Sequence, residues 1–164
     1  MPARPEDREI LLRIYASTRE EELATTDWGP EQKRVFVEQQ FHAQDLYYRE
    51  YYVGARFDLM KADGEVVGRL YVDRDQVRFP GEIRLMEITV LPEHRGRGLG
   101  GEILGELMEE ARAAGRMLTI HVERFNRALS LYFRLGFREL EDKGVYLLLG
   151  WSAEGSGEKT PPAR

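Results

Sequence analysis

A run of glycines and arginines, Arg95-Gly96-Arg97-Gly98-Leu99-Gly100-Gly101, is the first place in this chain where residue types and spacing point to chemistry. It follows a β-rich apolar stretch, Ile83 to Leu91, which Pro92 must end because proline has no amide hydrogen for a ladder. A long amphipathic helix follows. A glycine-rich turn at a helix start turns several backbone N–H groups toward one point at the positive end of the helix dipole, which suits a phosphate-bearing ligand. Arg95 and Arg97 add charge that favours a pyrophosphate. Upstream, Glu87 interrupts the apolar strand. A carboxylate there is costly unless its pKa rises or a partner sits beside it. A carboxylate so placed could take a proton from an ammonium, directly or through water. It could equally be an ion-pair partner of Arg69 or Arg84.

Two phosphate-loop templates compete. Gly96-x-Gly98-x-x-Gly101 satisfies the dinucleotide fingerprint, with Glu123 near the expected distance downstream. In that fold the strand runs almost directly into the first glycine, whereas Pro92-Glu93-His94-Arg95 intervene here. The chain after Glu123 is also too short for the rest of a doubly wound sheet. A Walker A loop is excluded, because no Gly-Lys-Ser/Thr follows the glycines.

A different template fits better. Val90-x-Pro92-x-x-Arg95-Gly96-x-Gly98-x-Gly100 resembles the acetyl-CoA-binding segment of the GNAT superfamily of N-acetyltransferases, with its Arg/Gln-x-x-Gly-x-Gly/Ala core. A second block about thirty residues downstream, Asn126-x-Ala128-x-x-Leu131-Tyr132-x-x-x-Gly136-Phe137, is similar to that family's next segment. The resemblance covers roughly Pro5 to Trp151 and is strongest from Ile83 to Phe137. It implies transfer of an acetyl group from acetyl-CoA to a primary amine by direct attack in a ternary complex. The acceptor, a small amine or a protein or peptide amine, is left open. Ile88 and Val90 are then expected to hold pantetheine through their backbone, with the Val90 amide polarising the thioester carbonyl. Arg95, Gly96, Arg97, Gly98, Leu99, Gly100 and Gly101 are expected at the pyrophosphate. Tyr132 matches the family tyrosine that protonates the leaving thiolate; the structural alternative is a core pair with Phe133. Asn126 matches a position that contacts pantetheine or caps the following helix. Glu87 takes the general-base role. A CoA-binding or regulatory module of the same fold without turnover is the competing reading.

Length and composition bound these readings. A chain of 164 residues is enough for one domain, expected over 1–151. The net charge of -5 and the lack of a dense basic face argue against a nucleic-acid surface. With no cysteine there can be no thiol nucleophile, disulfide or Cys-ligated metal. His42, His94 and His121 have no metal spacing, so no metal is expected. His121 reads as a satisfied core histidine and His94 as a surface residue. No apolar run approaches the roughly 20 residues of a membrane span. No signal-peptide pattern appears at the N-terminus, so the expected location is the cytoplasm.

The elements that must position these residues follow from periodicity and turn chemistry. A helix opens at Pro5-Glu6-Asp7 and buries Ile10, Leu11, Ile14 and Tyr15. A second starts near Pro30, carries Val35, Phe36, Val37 and Phe41 towards Tyr52, and ends in Tyr47, Tyr48, Tyr51 and Tyr52, read either as core and rim packing or as an aromatic wall around an amine. Hairpin strands are expected over 56–62 and 65–73 around Asp63-Gly64, and a strand over 117–123. A helix runs from about Gly98 to Ala114, and a short one over 126–135. A closing hairpin turns at Lys143-Gly144, and the Gly/Ser/Pro tail from Ser152 is expected to be disordered. Only Met1-Pro2-Ala3-Arg4 remains for the strand that precedes the first helix in GNAT chains. The fold class is α/β (α+β): a GNAT fold with a central mixed, mostly antiparallel sheet and helices on both faces. Homodimers are common in the family, and the last strand, ending at Trp151, is the expected edge for pairing.

Overall fold

The computed structural model describes residues 1–154. The tail expected from Ser152 lies, from residue 155 onward, outside the described residues. In order, the elements are a 3-10 turn (Pro5–Asp7), α1 (Arg8–Ser17), α2 (Glu20–Ala24), α3 (Pro30–Tyr51), β1 (Arg56–Ala62), β2 (Glu65–Asp73), β3 (Glu82–Val90), a 3-10 turn (Pro92–His94), α4 (Leu99–Ala114), β4 (Met117–Glu123), α5 (Leu129–Arg134), β5 (Arg138–Asp142) and β6 (Tyr146–Trp151). The strands form one mixed six-stranded sheet in the order β1-β2-β3-β4-β6-β5. β3 and β4 run parallel, and β4–β6 and β5–β6 antiparallel.

The described chain divides into two compact units. The first is Met1–Tyr71 with Glu87–Gly100; the second is Val72–Met86 with the chain from Gly101. In the first, α1 buries Leu11, Ile14 and Tyr15, and α3 buries Val37 and Phe41. Val35 is exposed, and Phe36 meets Trp28 edge-on at 5.3 Å. The β1–β2 turn places Asp63 at φ 52 and Gly64 at φ 81, the two positive values a type I′ turn demands. Pro2 bridges Asp58 antiparallel, and the Ala3 amide donates to the Phe57 carbonyl at 2.8 Å. The segment before the first helix is therefore a short pairing on β1 rather than a full strand. Gly68 marks a close approach of β2 to β3: a Cβ there would lie 2.0 Å from the Thr89 carbonyl oxygen.

In the second unit, the β3–β4 ladder runs from Glu82↔Met117 to Leu85↔Ile120 and ends there, while β3 continues to Val90. α4 buries Leu104, Leu107 and Ala111 and closes at Gly115, whose φ of 65 allows the Arg116 amide to reach back to the Ala111 carbonyl at 2.9 Å. β6, expected to be an edge, lies between β4 and β5. The edge is β5, Arg-Glu-Leu-Glu-Asp, almost wholly exposed and interrupted by a register shift between Glu139 and Glu141. Charges and a bulge are the features that discourage pairing at this edge, and β6 is not available for it.

Candidate active site

In the first unit the site begins with Glu87. Alternation along β3 puts Glu87 and Thr89 on one face, and the Thr89 hydroxyl donates to Glu87 Oε1 at 3.2 Å. Tyr48, on α3, donates its hydroxyl to Glu87 Oε2 at 3.0 Å. Arg69, on β2 and 1% exposed, stands 3.5 Å from Oε1 and is itself bound to Gln44 at 2.9 Å. Of the two sequence alternatives for a partner, Arg69 is the one that meets Glu87. The guanidinium lies against the rings of Tyr71 and Tyr15, at 5.0 and 5.8 Å from their centroids. Burial works against its charge, and Glu87 together with Tyr71 and Tyr48 more than offsets this, leaving Arg69 above the usual arginine range. Burial first, then the adjacent Glu87 carboxylate, pushes the Tyr48 phenol far above the tyrosine range, so it remains a donor at every working pH. A carboxylate offers about four lone-pair directions. Three are engaged here, and one on Oε2 is left for another donor.

The tyrosines at the end of α3 are not one wall. Tyr48 and Tyr52 turn inward; Tyr48 meets Tyr71 edge-on at 6.0 Å, and Tyr52 is buried. Tyr47 and Tyr51 stack on each other at 5.4 Å and remain exposed.

Beyond Val90 the chain makes a single 3-10 turn over Pro92–His94 and then the glycine loop. Gly96 and Gly98 sit at φ 79 and 77, values a side chain strains against. A Cβ at Gly100 or Gly101 would meet nothing within 4 Å, so the backbone there is open to an approaching group. α4 starts at Leu99, one residue later than expected, because Gly98 is left-handed. Arg95 and Arg97 are exposed, and Arg95 Nε also donates to the Val90 carbonyl at 3.0 Å, tying the loop to the strand end. Ile88 and Val90 are half-buried on the face opposite Glu87. His94, expected at the surface, keeps only 12% of its side chain exposed and lies 3.9 Å from Glu65. A cavity of about 310 Å³ elsewhere in this unit, between Arg4, Arg8, Phe41 and Asp45, includes none of these residues.

In the second unit, Tyr132 on α5 is 3% exposed and packs edge-on to Phe137 at 5.4 Å. Its ring partner is thus Phe137; Phe133 is largely exposed. Asn126 Oδ1 accepts from the Ala128 amide at 2.8 Å and holds the turn that leads into α5, which is shorter than expected. His121 is half-buried between Arg84 and Lys143, at 3.4 and 3.1 Å. Among the described residues no group of three or more acidic, histidine or cysteine side chains could hold a metal, and no helix is long and apolar enough to cross a membrane.

Residues 13–137 match the acetyltransferase (GNAT) family. The chain belongs to that family. A curated GNAT-type relative, the N-alpha-acetyltransferase RimI of Mycobacterium tuberculosis, is 33% identical over 90 residues, 55% of this chain; the match spans only 53% of that relative's length. The PaiA N-acetyltransferase of Thermoplasma acidophilum, solved with coenzyme A, superposes with a TM-score of 0.68 at 16% identity over 93% of this chain and 96% of its own. An acetyltransferase from Thermus thermophilus gives 0.62 at 24% identity over 91% and 92%. A GNAT acetyltransferase from Elizabethkingia anophelis with acetyl-CoA bound gives 0.53 at 19% identity over 68% and 82%. These likenesses show the GNAT fold.

Tyr48 is a partner of Glu87 that the sequence does not single out. It was one of four tyrosines in a cluster, and 39 residues separate it from Glu87. Helical spacing puts Tyr48 and Tyr52 on one face, a usable signal for an inward pair, but nothing in the spacing says that the face meets β3.

Proposed function

We propose that this GNAT protein is an acetyl-CoA-dependent N-acetyltransferase acting on a primary amine by direct attack in a ternary complex. The observation that carries this reading is the Glu87 carboxylate, held on three sides with one lone pair free, on the strand that leads into the glycine loop. The left-handed Gly96 and Gly98 and the open Gly100 and Gly101 let backbone N–H groups approach the CoA pyrophosphate, with Arg95 and Arg97 adding charge. Each charge-assisted bond of that kind contributes about 1.5–3 kcal/mol. The backbone of Ile88 and Val90 holds pantetheine, and Asn126 orders the approach to α5. Glu87 takes a proton from the acceptor ammonium, directly or through water. The freed amine attacks the thioester carbonyl, the C–N bond forms and the C–S bond breaks, and the thiolate leaves with a proton from Tyr132, which is replaced by the second proton the nitrogen loses as the amide forms. Two structural relatives were solved with CoA or acetyl-CoA, which supports the choice of donor. The absence of cysteine fits a reducing, cytoplasmic location.

The test is release of free CoA from acetyl-CoA across a panel of small amines and peptides. Turnover is expected, with Glu87→Gln lowering kcat by about a hundredfold or more and Tyr132→Phe slowing thiolate departure. Thermal stabilisation by acetyl-CoA with no turnover on any acceptor would instead favour a CoA-binding module; stabilisation by NAD rather than CoA would sink both readings.

A further inference from the structure

A polar cluster in the second unit surrounds His121. The parallel register places Arg84 opposite Thr119, and alternation puts Thr119 and His121 on the same face of β4. Arg84 is buried against the Phe79 ring, 4.6 Å from its centroid. Its Nε donates to Thr119 Oγ1 at 2.9 Å and one terminal nitrogen to Glu82 at 3.3 Å. The other terminal nitrogen lies 3.4 Å from His121 Nδ1. On the far side of the ring, Lys143 Nζ lies 3.1 Å from Nε2.

This arrangement is short of acceptors. Arginine and lysine cations are donors only, and a neutral imidazole has one acceptor nitrogen and one N–H. In either tautomer one contact is a hydrogen bond and the other sets an N–H against a cation. Protonation makes both contacts repulsive, and burial, Arg84 and Lys143 lower the His121 pKa to about 4. The ring is therefore neutral at neutral pH. Neighbouring carboxylates do not supply the missing acceptor: Glu82 serves Arg84 and Thr119, and Asp142 serves Arg124 at 2.6 Å and the Gly144 amide at 2.9 Å. Glu141 comes no nearer than 3.9 Å to Lys143. Lys143 is also well anchored. Its amide donates to the Tyr146 carbonyl at 2.9 Å, and Arg124 Nε holds the Gly144 carbonyl at 3.1 Å. The turn thus presents the ammonium from a fixed backbone while the side chain keeps 42% exposure.

We propose that Lys143 and His121 form a binding subsite for an anionic group, a carboxylate or a phosphate. Its oxygens accept from the Lys143 ammonium and from His121 Nε2–H. Arg84, donating to Nδ1, fixes the tautomer that directs that N–H outward. Charge-assisted bonds of this kind are short and strong, and the ligand supplies the acceptor that the described residues around His121 lack.

The test uses the protein alone, without acetyl-CoA, so its outcome does not depend on acetyl transfer. Histidine ring resonances are followed by NMR while inorganic phosphate, and separately acetate, is titrated at neutral pH; His121 is assigned by its loss in His121→Gln. A saturable shift of the His121 signals is expected, with the midpoint of its own titration moving up once the anion is bound. Lys143→Met should bind about tenfold more weakly and Lys143→Arg should retain binding. A response to phosphate alone or to acetate alone supports the subsite and assigns its ligand class. Indifference of His121 to both anions, or an undiminished response in Lys143→Met, would overturn the proposal.

Discussion

Arg69 and Arg84 are both buried strand arginines, one in each unit, and their surroundings are opposite. Arg69 faces acceptors and electron-rich surfaces: Gln44 Oε1, Glu87 Oε1 and the faces of Tyr15 and Tyr71. Arg84 spends its donors on Thr119 and Glu82 and then meets a histidine already crowded by a second cation. The same side chain thus meets a carboxylate in one place, with its own Nε left without an acceptor, and in the other meets a histidine that a second cation also approaches. A buried cation is informative mainly through what its neighbours still lack.

The contrast can be tested from either end. Arg69→Met should have the largest effect on stability, about 3 kcal/mol lost in denaturant unfolding, because it leaves Glu87 in a half-buried place without its cation. An unchanged midpoint would show that Thr89 and Tyr48 suffice. Tyr48→Phe removes one bond to a charged acceptor and should lower kcat by about tenfold with KM little altered, since the phenol acts through Glu87 and not on the acceptor. Equal loss in a Glu87→Gln background would exclude that route. The smallest effect concerns His121. Its folded pKa, about 4, lies below the ordinary histidine value of about 6.5. In that window the unfolded chain binds a proton that the folded one does not, so stability is full above about pH 6.5 and falls as pH drops toward about 4. His121→Gln should flatten that part of the stability–pH curve; a curve identical to wild type would mean that burial, Arg84 and Lys143 do not disfavour the protonated ring in solution.

Much of the architecture was legible. The hairpin about Asp63-Gly64 was placed to the residue, because a two-residue turn with alternating strands leaves no other register. The loop at Gly96 and Gly98 was legible because left-handed backbone selects glycine. The position of β6 was not: its apolar run fits a covered strand on any neighbour, and insertion between β4 and β5 is a long-range pairing. The ring partner of Tyr132 is not legible for a similar reason. On a short helix Phe133 is adjacent in sequence but turned away, while Phe137, beyond the Gly136 turn, folds back beneath it.

Local rules account for the rest of the division. Backbone conformation, periodicity and a family motif are written in neighbouring residues, so the elements, the glycine loop and the GNAT membership could be read directly from the chain. Which donor meets which acceptor depends on residues far apart in sequence, such as Tyr48 with Glu87 or Arg84 and Lys143 with His121. Those encounters are set by how strands and helices pack, and packing satisfies or frustrates a polar group only once the chain is folded.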